Sequence, residues 1–303
     1  MIGKAWLWAS EKPSVERFVT QGRLTSRVVS RFIAGDELED AVRVIKDLNQ
    51  RGIGGILDLL GEGVKDPAGA AAAFEEYHAA IKRIEATGID TTVSVKLSQL
   101  GLGFDKGSCI DYLRVLAAEA QAIGTRVEVD MEQSDLVPDT VDVFRILRTD
   151  FPDMRLAIQA YLRRTLADLE ALADPPPRIR LVKGAYAEPP EVAFQKKKEI
   201  DSQYRYLTDW LFTKGTDPAL ATHDGQLIVH AKQAAHAVGA GPEDFEIQML
   251  YGIRRELQDQ LARDGFRVRV YVPFGSAWYP YFMRRIAERP ANLRFFLRAV
   301  VRD

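Results

Sequence analysis

The sequence predicts an α/β protein folded as a (β/α)8 barrel, and three features of the chain support this prediction. Short runs of β-branched and aliphatic residues alternate with longer stretches of helical spacing, which is typical of a parallel sheet with crossover helices. Eight such runs are present, the number that closes into a barrel. Several helical stretches also end in glycine, a common helix C-cap. An open doubly wound sheet is the alternative.

The strands are predicted where β-branched and aliphatic residues cluster. These runs are GGILDLL (54–60), TTVSVKL (91–97), RVEVD (126–130), RLAIQA (155–160), RIRLVKGA (178–185), LATHD (220–224), FEIQML (245–250) and RVRVYV (267–272). Helical spacing predicts helices over residues 36–52 before the first strand, then 71–87, 109–124, 139–150, 165–174, 201–215, 226–239 and 252–265. We expect residues 1–303 to form one barrel domain, with extra helices in an N-terminal arm of about the first 50 residues.

Composition and charge exclude several classes of protein. With 47% hydrophobic and 28% charged residues, the chain has the composition of a globular protein with a sizeable core. Its net charge is -2 with both signs interspersed, so no nucleic acid partner is expected. The single cysteine, Cys109, excludes an internal disulfide and fits a reducing compartment. No apolar run is long enough for a signal peptide or a membrane span, which predicts a cytoplasmic protein.

Polar side chains stand at the carboxyl ends of the predicted strands, where barrel enzymes gather their chemistry. They are Lys96, Asp130, Gln159, Arg180, Lys183, Thr222, His223, Gln248 and Tyr271. Together they predict a polar ligand bound over the mouth of the barrel. Arg180 and Lys183 are three residues apart and face opposite ways in a regular strand. Both reach the mouth only if the strand ends or bulges near Gly184.

The segment YPYFMRRIAERPAN, residues 279–292, predicts a last helix with a polar face. Tyr281, Arg284 or Arg285, and Glu288 fall on one side at helical spacing, and the apolar residues between them point elsewhere. Two guanidiniums at the centre of this face predict an anionic ligand.

Other motifs argue against a Rossmann dinucleotide site and a zinc site, and they leave a Schiff-base lysine open. Neither RGIGGIL nor VGAGPED fits the G-x-G-x-x-G dinucleotide fingerprint. The histidines lack zinc spacing, so no metal site is expected. A Schiff-base lysine, Lys96 or Lys183, as in barrel aldolases, stays open at this point.

Seven stretches of the chain resemble the motifs of proline dehydrogenases, in order and over nearly the whole length. They are VKLSQLG (95–101), VEVDMEQ (127–133), IQAYLRRT (158–165), RLVKGAY (180–186), ATHD (221–224), FEIQMLYG (245–252) and YVPFGSAWYPYFMRRIAERPANL (271–293). RLVKGAY and YFMRRxxERPAN are the specific ones. The resemblance is to the single-function bacterial form, since the chain has no room for the aldehyde dehydrogenase domain of the bifunctional proteins.

The resemblance implies a distorted (β/α)8 barrel with its last helix over the mouth, and a flavoenzyme with FAD as cofactor. It implies oxidation of L-proline to Δ1-pyrroline-5-carboxylate by hydride transfer to the flavin N5. Electrons then pass to a membrane quinone, which places the cytoplasmic protein at the inner face of the cell membrane during turnover. The tail NLRFFLRAVVRD is amphipathic, and it either touches the bilayer or packs on the protein. The oligomeric state is open.

The resemblance also implies roles for individual residues at the substrate. Arg284 and Arg285 hold the carboxylate of proline, and Tyr281, Tyr271 and Leu250 pack against its ring.

Polar residues around these also receive implied roles. Lys96 and Asp130 form a polar pair near the substrate, and whether either is a general base is open. Glu62 pairs with the first arginine when the site closes, and Glu288 orients a guanidinium.

The flavin is expected on the strand ends. Arg180 lies near flavin N5, where positive charge stabilises the reduced flavin. The expected contacts of the isoalloxazine are Gln159 and Met131. Those of the ribityl, pyrophosphate and adenosine parts are Lys183, Gly184, Ala185, Thr222 and His223.

Two alternatives to a proline dehydrogenase stand. One is another barrel enzyme for a small anionic substrate, either a Schiff-base aldolase or a flavin reductase. The other is a non-catalytic barrel that binds a small molecule.

Overall fold

A computed structural model describes residues 29–61 and 64–287 of the chain, including the backbone alone of residues 286 and 287. Eight parallel strands close into a barrel in which each strand is hydrogen-bonded to its neighbours in chain order, and the eighth returns to the first. Because the sheet is closed, the (β/α)8 prediction is confirmed and the open doubly wound sheet is wrong. The 28 residues before this region, part of the predicted arm, lie outside the described residues, as does the tail.

The elements follow one another in strict alternation. In chain order they are α1 (Leu38–Gln50), β1 (Gly54–Leu59), α2 (Pro67–Thr87), β2 (Thr91–Val95), α3 (Lys106–Ala122), β3 (Val127–Val129), α4 (Val137–Leu147), β4 (Arg155–Gln159), α5 (Thr165–Ala171), β5 (Arg178–Val182), α6 (Lys197–Lys214), β6 (Thr216–Ala221), α7 (Gly225–Ala237), β7 (Glu246–Leu250), α8 (Arg255–Arg263), β8 (Arg267–Phe274) and α9 (Tyr279–Ala287). No helix among these is both long and apolar enough to cross a membrane.

Capping residues explain why some helices begin earlier than the sequence pattern predicted. Asp66 accepts a hydrogen bond from the backbone N–H of Gly69 at 2.8 Å, with Pro67 in the first turn, so α2 begins four residues before the predicted start at 71. Asp105 caps α3 in the same way through Ser108 N at 3.1 Å. The apolar periodicity marks only the part of a helix that faces the core, so it missed these first turns.

Strand β6 departs most from the prediction of 220–224. It begins at Thr216 and ends at Ala221, so Thr222 and His223 follow the strand and do not belong to it. Its first half is polar and contains Pro218, and Asp217 has a φ of 46°. The pairing of β5 with β6 shifts register at this point. An irregular, polar half-strand carries no β-branched run from which it could have been predicted.

Strand β5 ends just before Gly184, as the sequence predicted for a strand that presents both Arg180 and Lys183 to the mouth. Its last residue is Val182, and Gly184 follows with a φ of 121°, a backbone conformation that favours glycine. The chain therefore leaves the sheet directly after Val182, and Lys183 is released from the alternation that would have turned it away from the mouth. A Cβ at Gly184 would lie 2.2 Å from the ring of Tyr161.

Charged side chains, not only aliphatic ones, fill the barrel interior. Arg155 is fully buried, and its Nη1 lies 2.8 Å from Glu246 Oε1 and 3.3 Å from Glu128 Oε1. Its Nη2 lies 2.7 Å from Asp217 Oδ2 near the amino end of the barrel. Glu128 continues the chain of contacts upward, with Oε2 3.4 Å from Arg180 Nη1. A ladder of ion pairs therefore reaches from the bottom of the barrel to its mouth.

Helix α9 packs across the carboxyl end of the barrel. Its apolar residues Phe282 and Met283 are buried in a small cluster with Phe32, Ile33 and Leu60, the residue that follows β1. The cluster holds the helix against the strand ends, on the side where the sequence predicted it.

Candidate active site

Four charged side chains and a tyrosine, from five strands or the residues just after them, meet at the carboxyl end of the barrel. Lys96, just after β2, forms an ion pair with Asp58 of β1, and its Nζ lies 3.0 Å from Oδ2 of Asp130, just after β3. Arg180 of β5 forms an ion pair with the other oxygen of Asp130. The hydroxyl of Tyr271, on β8, donates to Asp130 Oδ2 at 2.6 Å. We call these five residues the mouth cluster; Asp130 is its centre.

A serine ties the mouth cluster to the strand beneath it. Ser94 Oγ donates to Asp130 Oδ1 at 2.7 Å and accepts from Arg180 Nη2 at 3.2 Å. Ser94 and Lys96 are two residues apart, so the alternation of β2 turns both toward the barrel axis. The guanidinium of Arg180 also lies 5.5 Å from the ring centroid of Tyr271.

The charges of the mouth cluster fix its protonation. Burial alone would raise the pKa of Asp130, but the charges of Lys96 and Arg180 outweigh it and lower that pKa to about 2. Burial alone would lower the pKa of Lys96, but Asp58 and Asp130 raise it well above its usual value. At neutral pH Asp130 is therefore a carboxylate and Lys96 an ammonium.

This protonation argues against a Schiff-base lysine. A lysine nucleophile needs a depressed pKa, whereas the pKa of Lys96 is raised. Lys183, the other candidate, is occupied by two carboxylates, with its Nζ 2.6 Å from Asp201 Oδ1 and 3.2 Å from Asp224 Oδ2.

Lys183 belongs to a second group of charges, beside the mouth cluster. Lys197 in the first turn of α6 forms an ion pair with Asp201 and lies 3.5 Å from Asp224 Oδ2. Asp224 is the N-cap of α7 and accepts from Gln226 N at 3.1 Å. No role is predicted for Lys197 and Asp201 from the sequence, and the structure brings both to Lys183.

The residues expected around the flavin lie on neighbouring strand ends. Gln159 Nε2 donates to the backbone carbonyl of Glu132 at 2.9 Å, and its Oε1 accepts from Ala185 N at 3.4 Å. Thr222 Oγ1 accepts from Asp224 N at 3.1 Å.

Two more of the expected flavin contacts are partly enclosed by the protein itself. His223 Nε2 accepts from the backbone N–H of Leu250 at 2.8 Å, which fixes one face of that imidazole against β7. Met131 is buried directly after Asp130.

Helix α9 contributes half-buried arginines. Arg285 places its guanidinium 5.2 Å from the ring centroid of Tyr281, four residues earlier, and Tyr281 is itself buried. Arg284 lies close enough to Tyr186 for its charge to lower the pKa of that phenol, although burial raises the pKa overall. Two residues of the sequence predictions, Glu62 and Glu288, lie outside the described residues.

Three residues at the mouth were missed by the sequence reading. Asp58 is the single charged residue of a strand otherwise made of glycine and aliphatic residues, and a buried charge is the signal that could have found it. Tyr186 ends the RLVKGAY motif, and its pKa responds to the charges of Glu132, Arg284 and Lys96. Ser94 carried no signal of its own.

Metal ligation finds no support in the described residues. Across 29–61 and 64–287, no group of three or more His, Cys, Asp or Glu side chains is placed to hold a metal ion. Cys109 is buried, and burial raises the pKa of its thiol to about 12, so it is an unreactive core residue.

Comparison with known proteins gives consistent matches over the whole chain. A family model described as proline dehydrogenase matches residues 41–298. A proline dehydrogenase of Deinococcus radiodurans is 40% identical over 304 residues, covering 99% of this chain and 97% of the relative. Proline dehydrogenase 1 of Bacillus subtilis is 38% identical over 306 residues, covering 100% of both.

Solved structures of proline utilization A proteins share the fold of this chain. Proline utilization A (PutA) from Bdellovibrio bacteriovorus, inactivated by N-propargylglycine, superposes with a TM-score of 0.81 at 25% identity over 87% of this chain. The match covers 33% of the PutA chain, so this chain spans about a third of it.

Proposed function

The chain belongs to the proline dehydrogenase family, and on that premise we propose that it oxidises L-proline to Δ1-pyrroline-5-carboxylate with FAD as hydride acceptor. The observation that carries the proposal is the mouth cluster. Lys96, Asp130, Arg180 and Tyr271 come from distant parts of the sequence and converge at the end of the barrel where such enzymes react.

An unmet hydrogen bond supports a flavin at this place. Nη1 of Arg180 is buried and makes no hydrogen bond of acceptable geometry among the described residues, although it lies 3.4 Å from Glu128 Oε2 in an ion pair. A buried guanidinium N–H without an acceptor costs stability, and the ring nitrogens and carbonyls of a flavin are acceptors. The residues present therefore fit FAD; Arg180 would lie beside N5, and Gln159 and Met131 would contact the isoalloxazine.

The phosphates of FAD would lie over the second group of charges. Lys183 supplies an ammonium, and the loop at Gly184 and Ala185 supplies backbone N–H groups at a point that glycine leaves open. Thr222 and His223 would complete the contacts with the ribityl and adenosine parts. When bound, FAD accepts the hydride; the protein holds and orients it.

The substrate carboxylate would bind to α9. A planar anion is best held by guanidinium, which donates two parallel hydrogen bonds where lysine acts as a point charge. Arg284 and Arg285 would approach this carboxylate from two sides. Tyr281, Tyr271 and Leu250 would enclose the ring and restrict larger amino acids.

The substrate amine must lose a proton before the hydride leaves, because the nitrogen lone pair drives that step. Asp130, with a pKa of about 2, is a weak base at neutral pH. We therefore propose that Asp130 orients Lys96, Arg180 and Tyr271 and offers negative charge to the amine. Lys96 would stand next to the amine as an ammonium.

The remaining expectations complete the proposal. A membrane quinone would accept the electrons from the enzyme, and the cytoplasmic protein would then contact the inner face of the membrane transiently. Glu62 and Glu288 keep their proposed roles, the first closing onto Arg284 and the second orienting a guanidinium.

Identification of the bound cofactor tests this proposal. The purified protein is expected to be yellow and to release FAD on denaturation. A colourless protein that takes up no FAD on reconstitution would refute the dehydrogenase. Trapping of a carbonyl substrate on Lys96 or Lys183 by borohydride would show an aldolase instead.

A further inference from the structure

Asp58 is a buried carboxylate for which the proposed reaction has so far no use. Its side chain is 1% exposed. One oxygen pairs with Lys96, while the other, Oδ2, is buried without a hydrogen-bond partner in the described part of the chain. A buried carboxylate oxygen without a donor is costly, and a proton on the carboxyl group would relieve that cost.

Within the mouth cluster, Asp58 is also the less compensated of two carboxylates. The single ammonium of Lys96 lies between Asp58 and Asp130. Asp130 has a second cation in Arg180 and accepts hydrogen bonds from Ser94 and Tyr271. Among the described residues, Asp58 has Lys96 as its one cation and only a weaker contact with the Tyr271 hydroxyl, so an additional positive charge at the mouth can be balanced there.

The groups that face Asp58 come from every element packed around it. They are Lys96 after β2, Asp130 after β3, Tyr271 on β8 and Tyr77 on α2. Burial raises the pKa of Asp58 in spite of the neighbouring Lys96, whereas it fails to do so for Asp130. Of the two carboxylates, Asp58 is the one poised to take a proton.

We infer that Asp58 is the final acceptor of the proton that the substrate amine loses, with Lys96 as the relay between them. This inference rests on the proposed oxidation of proline. Lys96 Nζ–H breaks as its proton passes to Asp58, and a new Nζ–H forms with the proton from the substrate ammonium. The products are a neutral amine, a Lys96 ammonium and a neutral Asp58 carboxyl group. No charge is created in the buried cluster, and the amine lone pair is free for hydride loss.

Burial favours this exchange. Lys96 takes up the substrate proton as it gives up its own, so it is an ammonium before and after the exchange, as its raised pKa requires. Asp58, buried at 1% exposure, loses a negative charge that is costly to keep away from water. The arriving substrate ammonium repels the Lys96 charge and drives the Lys96 proton toward Asp58. Asp58 acts through Lys96 and need not touch the substrate.

The pH dependence of Asp58→Asn tests the inference. Asparagine keeps the shape and still accepts from Lys96, but it cannot take the proton. We expect kcat/KM at pH 7 to fall by about 10²-fold or more, the usual contribution of a general base. The acidic limb of the plot of kcat/KM against pH should move to higher pH, toward the pKa of the free substrate amine. Glu132→Gln is the matched control, because Glu132 is a buried mouth carboxylate bonded to Ser98 and not to Lys96.

The expected control result is an acidic limb at its wild-type position. If the acidic limb of Asp58→Asn had its midpoint at the wild-type pH, the inference would be overturned. A kcat/KM that is lower by the same factor at every pH would not support it, because the loss of a purely structural residue has that effect.

Formate rescue gives a second, independent test. Asp58→Ala removes the carboxylate, and formate replaces the missing atoms. Formate should restore the rate of Asp58→Ala and not that of Glu132→Ala. Failure to rescue a folded Asp58→Ala protein would contradict the inference; if that variant does not fold, the pH profile of Asp58→Asn decides.

A binding experiment without turnover completes the design. Enzyme whose flavin has been reduced with dithionite binds L-proline but cannot oxidise it, and infrared difference spectra then report the carboxyl groups. A protonated carboxyl band should appear in the wild type and in Glu132→Gln, and be absent in Asp58→Asn. The same band in Asp58→Asn would overturn the inference. A wild type that neither holds FAD nor oxidises proline would instead refute the proposed function.

Discussion

Lysine 96 offers a sharp test of the mouth cluster, because the chain contains a matched lysine at its surface. Lys96 lies between Asp58 and Asp130, with side-chain exposures of 10%, 1% and 13%. Lys106 lies between Asp139 and Asp142 in the same arrangement, with exposures of 34%, 51% and 33%. The changes Lys96→Met and Lys106→Met remove the same charge from the same kind of partner pair.

The expected cost differs because only one pair of carboxylates stays buried. Removing one partner of a buried ion pair costs about 3–5 kcal/mol, whereas an exposed pair contributes ~0.2–1 kcal/mol. Lys96→Met should therefore lower the free energy of unfolding by about 2–5 kcal/mol more than Lys106→Met does. This is a large share of the ~5–15 kcal/mol that stabilises a typical protein.

The excess cost should also depend on pH. Lys96 lowers the pKa of both Asp58 and Asp130, so its loss raises both. A carboxyl group whose folded pKa lies above its unfolded pKa contributes stability at low pH, and that stability is lost as the pH rises through the folded pKa. The deficit of Lys96→Met should therefore be smaller at pH 5 than at pH 8.

Urea unfolding followed by circular dichroism measures both effects, with FAD at saturating concentration in every sample. Equal free energies for Lys96→Met and Lys106→Met would refute the buried-pair reasoning. So would a Lys96→Met deficit that does not grow from pH 5 to pH 8.

The other predictions concern ligands. Arg284→Met and Arg285→Met should each raise the KM for proline about 10–150-fold with FAD still bound, because each removes a charged hydrogen bond worth ~1.5–3 kcal/mol; an unchanged KM and kcat would remove that arginine from the site. Gly184→Ala should weaken FAD binding about 10-fold or more in a fluorescence titration, because of ~1–3 kcal/mol of backbone strain and a clash with Tyr161; a wild-type Kd would contradict this. Arg180→Met should slow anaerobic flavin reduction about 10–150-fold by stopped-flow absorbance; an unchanged rate constant would exclude a role beside the flavin.

The mouth cluster could be predicted in large part from the sequence, for a physical reason. Parallel strands joined by crossovers all end at the same edge, so polar residues at the strand ends must meet. Lys96, Asp130, Arg180 and Tyr271 were predicted on this ground. Which atoms pair with which could not be predicted, because the pairing of Lys96 with Asp58 depends on the closure of β1 against β2.

The ladder of ion pairs inside the barrel has a signal in the sequence, namely the alternation of polar and apolar residues along several strands. In RVEVD and RVRVYV every second residue is polar, and in RIRLV and EIQML the first and third residues are polar, which is the pattern of strands with one polar face. Since the outer faces of barrel strands pack on helices, the polar face has to be the inner one. Glu128, Arg180 and Glu246 are the buried result.

The second group of charges could not have been predicted from spacing. Lys197 and Asp201 are four residues apart on α6, a common surface pair. Their partners Lys183 and Asp224 follow β5 and β6, and the closure of the barrel brings these loops to the start of α6.

Anaerobic mixing of the purified protein with L-proline tests the central claim most directly. If the mouth of this barrel oxidises proline, the visible absorption of the bound flavin will bleach in the absence of oxygen, and Δ1-pyrroline-5-carboxylate will form in equal amount. A protein that holds FAD but keeps its oxidised spectrum at saturating proline would contradict the account.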